Sequence, residues 1–123
     1  MATVEQLGSE KYVLLTTFRK DGRAVGTPLW VASVDGGLGF WTPTNTGKIK
    51  RIRNNARVTV QPCDVRGNPS GEPVEAHARI GDRDDWARVR EAMVGKYGLT
   101  ARLTFLGSRI RRGERGTVAV LVN

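Results

Sequence analysis

The sequence holds very little of the chemistry on which most catalytic and metal sites depend. Cys63 is the only cysteine and His77 the only histidine among 123 residues. A lone cysteine excludes an internal disulfide and is typical of a reducing compartment, so we expect a cytoplasmic protein. The two residues fall on different predicted segments, which argues against a catalytic Cys–His pair, and the clusters that bind metals are missing. We expect Cys63 to pack inside and His77 to lie on a strand face.

Long apolar runs are missing as well. No stretch approaches the ~20 apolar residues that a membrane-spanning helix requires. The first residues, MATVEQLGSEKYV, have neither the basic flank nor the apolar run of a signal peptide. A chain of 123 residues fits one domain, residues 1–123, with a small core. We therefore expect no large ligand cavity within one subunit, whereas a site shared by two subunits would escape that limit.

Acidic residues are absent from one strongly basic stretch. The segment TGKIKRIRNN, residues 46–55, contains four Lys or Arg and no Asp or Glu. The whole chain carries a formal net charge of +8, from 20 Lys and Arg against 12 Asp and Glu. This balance favours anionic partners, and does not distinguish a polymer from a metabolite.

What the sequence does contain is a series of strand patterns that predicts a mainly β protein. The turns RKDG and DGG separate the first three strands, which makes them an antiparallel meander. Pro28 cannot donate to a ladder, so we expect an edge, a bulge or an approaching ligand at that point. We predict a six-stranded antiparallel sheet that closes into a barrel. Its strands are residues 11–18, 23–34, 38–42, 57–62, 74–80 and 117–122.

Helical spacing predicts one short helix and a later helical pair. The short helix runs over residues 46–54, is capped by Asn45 or Thr46, and places Ile49 and Ile52 on one face. A longer helix begins at the acidic residues 82–85 and ends at Gly98. Its apolar face comprises Trp86, Val89, Met93 and Tyr97, and the face of the second helix comprises Leu99, Leu103, Leu106 and Ile110.

The basic segment has three interpretations. It is a solvated surface, a nucleic-acid site in which Trp30, Phe40 and Trp41 stack on bases, or the phosphate site of a cofactor. The sequence contains no recognisable nucleic-acid motif, and the basic residues 102–115 are interleaved with core-like leucines. In the cofactor interpretation, the phosphate meets Gly47 and Lys48 at the start of the helix.

In the cofactor interpretation, two strands would bind the flat ring of the cofactor. Residues 27–30 and 40–43 would supply its surface, and Pro28 and Pro43 leave gaps in the ladder where a planar heterocycle could take backbone donors. Each strand also has a simpler interpretation, in which Trp30 and Trp41 are core residues.

The order of these segments resembles a known family. The segments are KYVLLTTFRKDGRAVGTPLWVA, LGFWTPTNTGKIKRIRNNARVTVQPCDVRG, EPVEAHARI, a Trp-containing helix, YGLTARL and a closing strand. Together they resemble the pyridoxamine 5'-phosphate oxidase-like split β-barrel superfamily. The nearest likeness is to its actinobacterial branch, which binds the deazaflavin coenzyme F₄₂₀ instead of flavin mononucleotide (FMN).

The resemblance implies a homodimeric split β-barrel with two cofactors in the grooves between subunits. It implies hydride transfer from reduced F₄₂₀ to a small organic acceptor, with FMN as the alternative cofactor and a carrier as the alternative role. Among these residues, the resemblance most strongly assigns Lys48 to binding of the cofactor phosphate. The resemblance assigns Arg51 and Arg53 to the phosphate least strongly, because helical rotation is expected to point them elsewhere. The full implied set of cofactor-binding residues is Thr27, Pro28, Leu29, Trp30, Trp41, Thr42, Pro43, Thr46, Gly47, Lys48 and Lys50.

Overall fold

The computed structural model describes residues 3–44, 46–98 and 116–123. A short 3-10 helix at Glu5–Ser9 precedes the sheet. The two α-helices are α1 (Gly47–Asn54) and α2 (Arg83–Tyr97). The strands are β1 (Tyr12–Phe18), β2 (Ala24–Trp30), β3 (Ala32–Val34), β4 (Gly37–Pro43), β5 (Arg57–Cys63), β6 (Val74–Ile80) and β7 (Thr117–Val122).

All seven strands form one antiparallel sheet in the order β2-β1-β5-β6-β7-β4-β3. The two edge strands, β2 and β3, are consecutive in the chain and are separated only by Val31, which is 0 % exposed. Opposite edges of the sheet therefore meet at this residue, and the sheet curls into a half-barrel. The predicted mainly β, antiparallel, barrel-like fold is confirmed in this form.

The prediction of six strands is wrong, because the strand expected at residues 23–34 is two strands. Val31 breaks it, since its backbone bonds to α2 instead of to a neighbouring strand. Its N–H donates to the Tyr97 hydroxyl at 3.2 Å, and its carbonyl accepts from Lys96 Nζ at 2.8 Å. The chain bends there and passes from one edge of the sheet to the other.

The main core fills the inside of the curled sheet, and α1 closes one end of it. Ile49 and Ile52 are both buried in this core, as their spacing predicts. Burying two such side chains stabilises the position of α1 by roughly 1.5–3 kcal/mol each. The strand residues around them are mainly alternating apolar side chains: Val13, Leu15, Leu38, Phe40, Val58, Val60, Ala76, Val120 and Val122.

The second helix packs on the outside of the sheet. Val89 and Met93 are buried against β3, β4 and β7, while Trp86 and Tyr97 lie partly buried at the margins. The helix begins at a capping box between Asp82 and Asp85 and ends at Gly98, as predicted, where φ is +66°. The helix predicted after Gly98, the basic residues 102–115 and most of YGLTARL lie outside the described residues, as does Asn45.

Candidate functional site

The curled sheet is split between β2 and β4. Ala32 pairs with Gly39 in the β3–β4 ladder. Extending that register past Val31 would put Trp30 opposite Trp41 and Pro28 opposite Pro43. The two strands stay in contact there but form no ladder, since β2 pairs only with β1. The two segments that the sequence nominated for a flat ring therefore face each other without a ladder between them.

On the β2 side, the four predicted ring-lining residues are all half-buried. Pro28 lies on an edge strand, as expected, and the Gly67 loop approaches its ring. Leu29 packs against the main core. Trp30 stacks on Tyr97 with ring centroids 4.6 Å apart, so that face of its indole is already covered. Thr27 pairs with Leu15 of β1.

On the β4 side, the side chains alternate between the two cores. Trp41 is half-buried in the cluster under α2, next to Trp30. Thr42 is 1 % exposed, and its hydroxyl has no hydrogen-bond partner among the residues the structure describes. A ring at Thr42 would contact its backbone instead of its buried side chain. Pro43 is half-buried at the end of the strand and pairs with Thr117.

The N-terminus of α1 follows directly from the end of β4. Thr46, one of the two predicted capping residues, occupies the N-cap position, but its side chain makes no capping hydrogen bond. The other candidate, Asn45, lies outside the described residues. The Thr46 hydroxyl donates to the Pro43 carbonyl at 3.2 Å instead and so ties the start of the helix to the mouth of the split. The amides of the first turn keep their partial positive charge and lack intrahelical acceptors.

Two half-buried cations, Lys48 and Arg51, lie at this helix start, and the exposed Arg19 acts on Arg51. The guanidinium of Arg51 lies over Gly47, so close that a Cβ there would sit 2.6 Å from Nη1. Burial lowers the pKa of Lys48, and the neighbouring Arg51 charge lowers it further. Burial likewise lowers the pKa of Arg51, with a further contribution from Arg19 in the β1–β2 turn. Lys48 and Arg51 therefore repel each other in a partly desolvated place, and Arg19 adds to the repulsion on Arg51.

Among the described residues no acid pairs with this cation cluster, which we define as Arg19, Lys48 and Arg51. Within residues 3–44, 46–98 and 116–123, none of the three forms a salt bridge. The other two cations of the helix, Lys50 and Arg53, are exposed. Of the residues nominated from the sequence, Thr46, Gly47 and Lys48 thus lie together at the helix start, and Lys50 projects into solvent.

Helical rotation does not turn Arg51 away from the start of the helix, contrary to the expectation from the sequence. Arg51 follows Gly47 by four residues, and residues four apart share a helix face. Because glycine has no side chain, the guanidinium can fold back over the first turn. That spacing was readable in the sequence. The involvement of Arg19 could not be predicted from the sequence, since only the hairpin geometry brings this residue near Arg51.

Other possible chemistry is weaker in this structure. Phe40 is 0 % exposed, so it is not available to stack on bases, contrary to that part of the nucleic-acid interpretation. Cys63 is buried and His77 is exposed on β6, as predicted. In the described part of the chain, no cluster of three or more His, Cys, Asp or Glu could hold a metal, and no helix is long and apolar enough to cross a membrane.

One small cleft lies away from the split. It has a volume of about 70 Å³ and opens between the β3–β4 turn and the end of β7, beside Asp35, Arg79 and Asn123. It has room for a few water molecules at most, so it could not hold a tricyclic cofactor.

A family model described as pyridoxamine 5'-phosphate oxidase matches residues 2–120. The chain belongs to the pyridoxamine 5'-phosphate oxidase family. No match was found among curated proteins.

Several solved structures share the fold of this family member, although their sequence identity to it is low. HutZ, described as the heme storage protein of Vibrio cholerae, is 13% identical with a TM-score of 0.69, over 94% of this chain and 82% of that one. A conserved hypothetical protein of Mycobacterium tuberculosis is 20% identical with a TM-score of 0.70, over 100% and 80%. An FAD-binding protein of Mesorhizobium loti is 19% identical with a TM-score of 0.64, over 94% and 82%. Such identities establish a common fold and no common ligand.

Proposed function

We propose that this protein is an oxidoreductase that binds a phosphorylated tricyclic cofactor along the split, and that the cofactor is the deazaflavin coenzyme F₄₂₀. The observation that carries the proposal is the cation cluster at a helix N-terminus that the Thr46 side chain does not cap, where none of the three cations forms a salt bridge within the described residues. Clustered, partly buried cations are costly unless an anion joins them. A phosphate would gain the first-turn amides, the Lys48 ammonium and the free N–H groups of Arg51.

The residues at the helix start fit a phosphate group. The absence of a Cβ at Gly47 gives both Arg51 and a ligand oxygen access to the helix end. Lys48 supplies a compact point charge, whereas Arg51 supplies a planar fork of donors that matches phosphate oxygens. Because Lys50 is exposed, we assign it a minor role through long-range attraction only.

The split fits the flat ring. Its two borders, β2 from Thr27 to Trp30 and β4 from Trp41 to Pro43, are unpaired with each other, so their backbone groups are candidates for polar ring atoms. The apolar margin formed by Trp30 would shield one side of the ring from water.

The reduced cofactor would supply the hydride, as such cofactors do. The chain itself would hold the phosphate through Lys48 and Arg51 and would orient the ring between β2 and β4. This division of labour is compatible with the absence of a catalytic triad from the sequence. We propose a conjugated or electron-poor small molecule as the hydride acceptor.

FMN on the same barrel is the second candidate, and the family match favours it. A non-catalytic cofactor carrier is a further role that a barrel of this fold supports, since HutZ is described as a storage protein. These roles use the same cation cluster, so the ligand and turnover must be measured separately.

The experiment is a binding titration of the purified protein with F₄₂₀, FMN and short DNA. We expect tight F₄₂₀ binding that weakens about 10- to 100-fold in Lys48→Ala, because a charge-assisted hydrogen bond is lost. Arg53→Ala is the matched control, as it removes one exposed positive charge from the same helix and should change affinity less than about twofold.

Each other outcome has a definite meaning. Tight binding of FMN alone would identify FMN, and not the deazaflavin, as the cofactor. Binding of DNA alone, with a steep salt dependence, would overturn the oxidoreductase proposal. Turnover of enones or quinones by the reduced complex then separates an enzyme from a carrier.

A further inference from the structure

We propose that Thr17 is a positioning residue that holds Arg51 over the start of α1 as the second phosphate-binding cation. This inference rests on the proposed function, since it concerns the same phosphate site. It assigns a role to a β1 residue that lies on a different element from every residue of that site nominated from the sequence.

The contact between Thr17 and Arg51 is short and buried. Thr17 is 1 % exposed, and its Oγ1 accepts a hydrogen bond from Arg51 Nε at 2.6 Å. The same hydroxyl donates to the Val25 carbonyl at 3.5 Å. With its proton directed at β2, the hydroxyl presents a lone pair to the guanidinium. The sheet thus fixes the acceptor, and the acceptor fixes the arginine.

Using Nε for this contact leaves the rest of the guanidinium available. A guanidinium has five N–H donors, and the four on Nη1 and Nη2 have no carboxylate partner in the described residues. Nη1 lies over Gly47 at the helix start. An arginine held at Nε with its terminal nitrogens free has the geometry required for two-point binding of phosphate.

Repulsion within the cation cluster explains why a holding contact is needed. Arg19 and Lys48 both repel Arg51, and no acid of the described residues pairs with it. Without Thr17 Oγ1, the flexible side chain would relieve this repulsion by turning toward solvent, where charges are screened. The hydroxyl keeps it in place before the ligand arrives, which reduces the cost of ordering on binding.

The test compares a cofactor with its phosphate-free form in four variants. FMN is paired with riboflavin, and F₄₂₀ with its phosphate-free chromophore. We expect Thr17→Val to weaken binding of the phosphorylated form about fivefold to tenfold while leaving the phosphate-free form unchanged. Thr17→Ser, which keeps the hydroxyl, should restore wild-type affinity. Thr17→Val should add nothing to Arg51→Gln in the double variant, because both remove the same interaction.

A second measurement keeps the inference separate from the choice of cofactor. The Arg51 Nε–H signal in nitrogen-15 NMR should be resolved in the wild type and Thr17→Ser and exchange rapidly with water in Thr17→Val, and inorganic phosphate should shift it. Loss of both cofactor forms equally in Thr17→Val would show a general packing role and overturn the inference. A wild type that binds no tricyclic cofactor would overturn the proposed function alone, and the phosphate titration of Thr17→Val would then decide the inference.

Discussion

At the scale of single residues, the molecule treats its buried charges in two opposite ways. Asp85 is 4 % exposed and fully compensated, since it accepts from Arg79 Nη1 at 2.9 Å, from Arg88 Nη2, and from the Asp82 amide at 3.0 Å. The half-buried Lys48 and Arg51 have no such carboxylate partner in the described part of the chain. The first arrangement is what a structural charge requires, and the contrast is the reason for treating the second as a binding site.

We predict that Asp85→Asn lowers the free energy of unfolding by about 2 kcal/mol at neutral pH, because Arg79 loses its anionic partner and Arg88 keeps only Asp35. Donation from Arg79, followed by the Asp82 amide, holds the pKa of Asp85 well below its usual range. A carboxyl with a lowered folded-state pKa stabilises the fold above its unfolded pKa, about 4, and this contribution is lost as the pH falls below that value.

Chemical denaturation from pH 7 to pH 2 measures this effect. The difference between wild type and Asp85→Asn should be largest at neutral pH and shrink below about pH 4. Asp84→Asn, an exposed acid in the same helical turn, is the control and should cost no more than about 0.5 kcal/mol. A pH-independent difference would contradict the assignment of a charge effect.

At the scale of secondary-structure elements, the bend at Val31 decides where the split lies. Tyr97, at the last turn of α2, donates its hydroxyl to the Lys11 carbonyl at 2.7 Å and accepts from the Val31 amide. It also stacks on Trp30. One side chain thus connects α2, the start of β1 and the junction of β2 with β3. The bend therefore depends on a helix that is distant in the chain.

We expect Tyr97→Phe to lower the free energy of unfolding by about 1–2 kcal/mol, since the backbone groups of Val31 and Lys11 lose a buried partner. The stacking on Trp30 is kept in this variant. Tyr12→Phe is the matched control, because the Tyr12 hydroxyl makes no hydrogen bond to the described residues, and its effect should stay within about 0.5 kcal/mol. Equal effects in thermal unfolding of the two variants would refute the role of the Tyr97 hydroxyl.

At the scale of the whole molecule, the split is bordered by two strands, β2 and β4, that do not pair with each other. The predicted homodimer stays a proposal, and its physical reason is that a flat ring between β2 and β4 needs a second surface to exclude water. A chain of 123 residues has little structure to spare for that purpose. A second copy would complete the site without a larger core.

We predict that the protein in solution has a mass of about twice 13.5 kDa and binds one cofactor per chain. Light scattering after size exclusion gives the mass, and titration gives the stoichiometry. Cofactor affinity should fall when the protein is diluted until the dimer dissociates, because each ring would lose part of its cover. A monomer that binds cofactor with unchanged affinity at every concentration would rule out the shared site.

Particular residues show why part of the site was predictable. Gly47 and Lys48 were assigned from the sequence because a glycine and a lysine without nearby acids at a helix start indicate an anion site by local chemistry alone. The ring-lining role of Trp30 and Trp41 stays a prediction. Thr17 and Arg19 were not assigned, because their relation to Arg51 depends on how α1 packs against β1 and its turn, and no local pattern encodes that packing.

The sequence by itself determined the alternation of the strands, the buried faces of α1 and α2, and the excess of positive charge, because each depends on residues a few positions apart. Only the tertiary structure decided that one predicted strand is two, that these two form opposite edges of one sheet, and that Arg51 folds back over Gly47. Those features depend on contacts between distant segments, such as Val31 with Tyr97 and Thr17 with Arg51. Such contacts exist only once the chain has curled around its core.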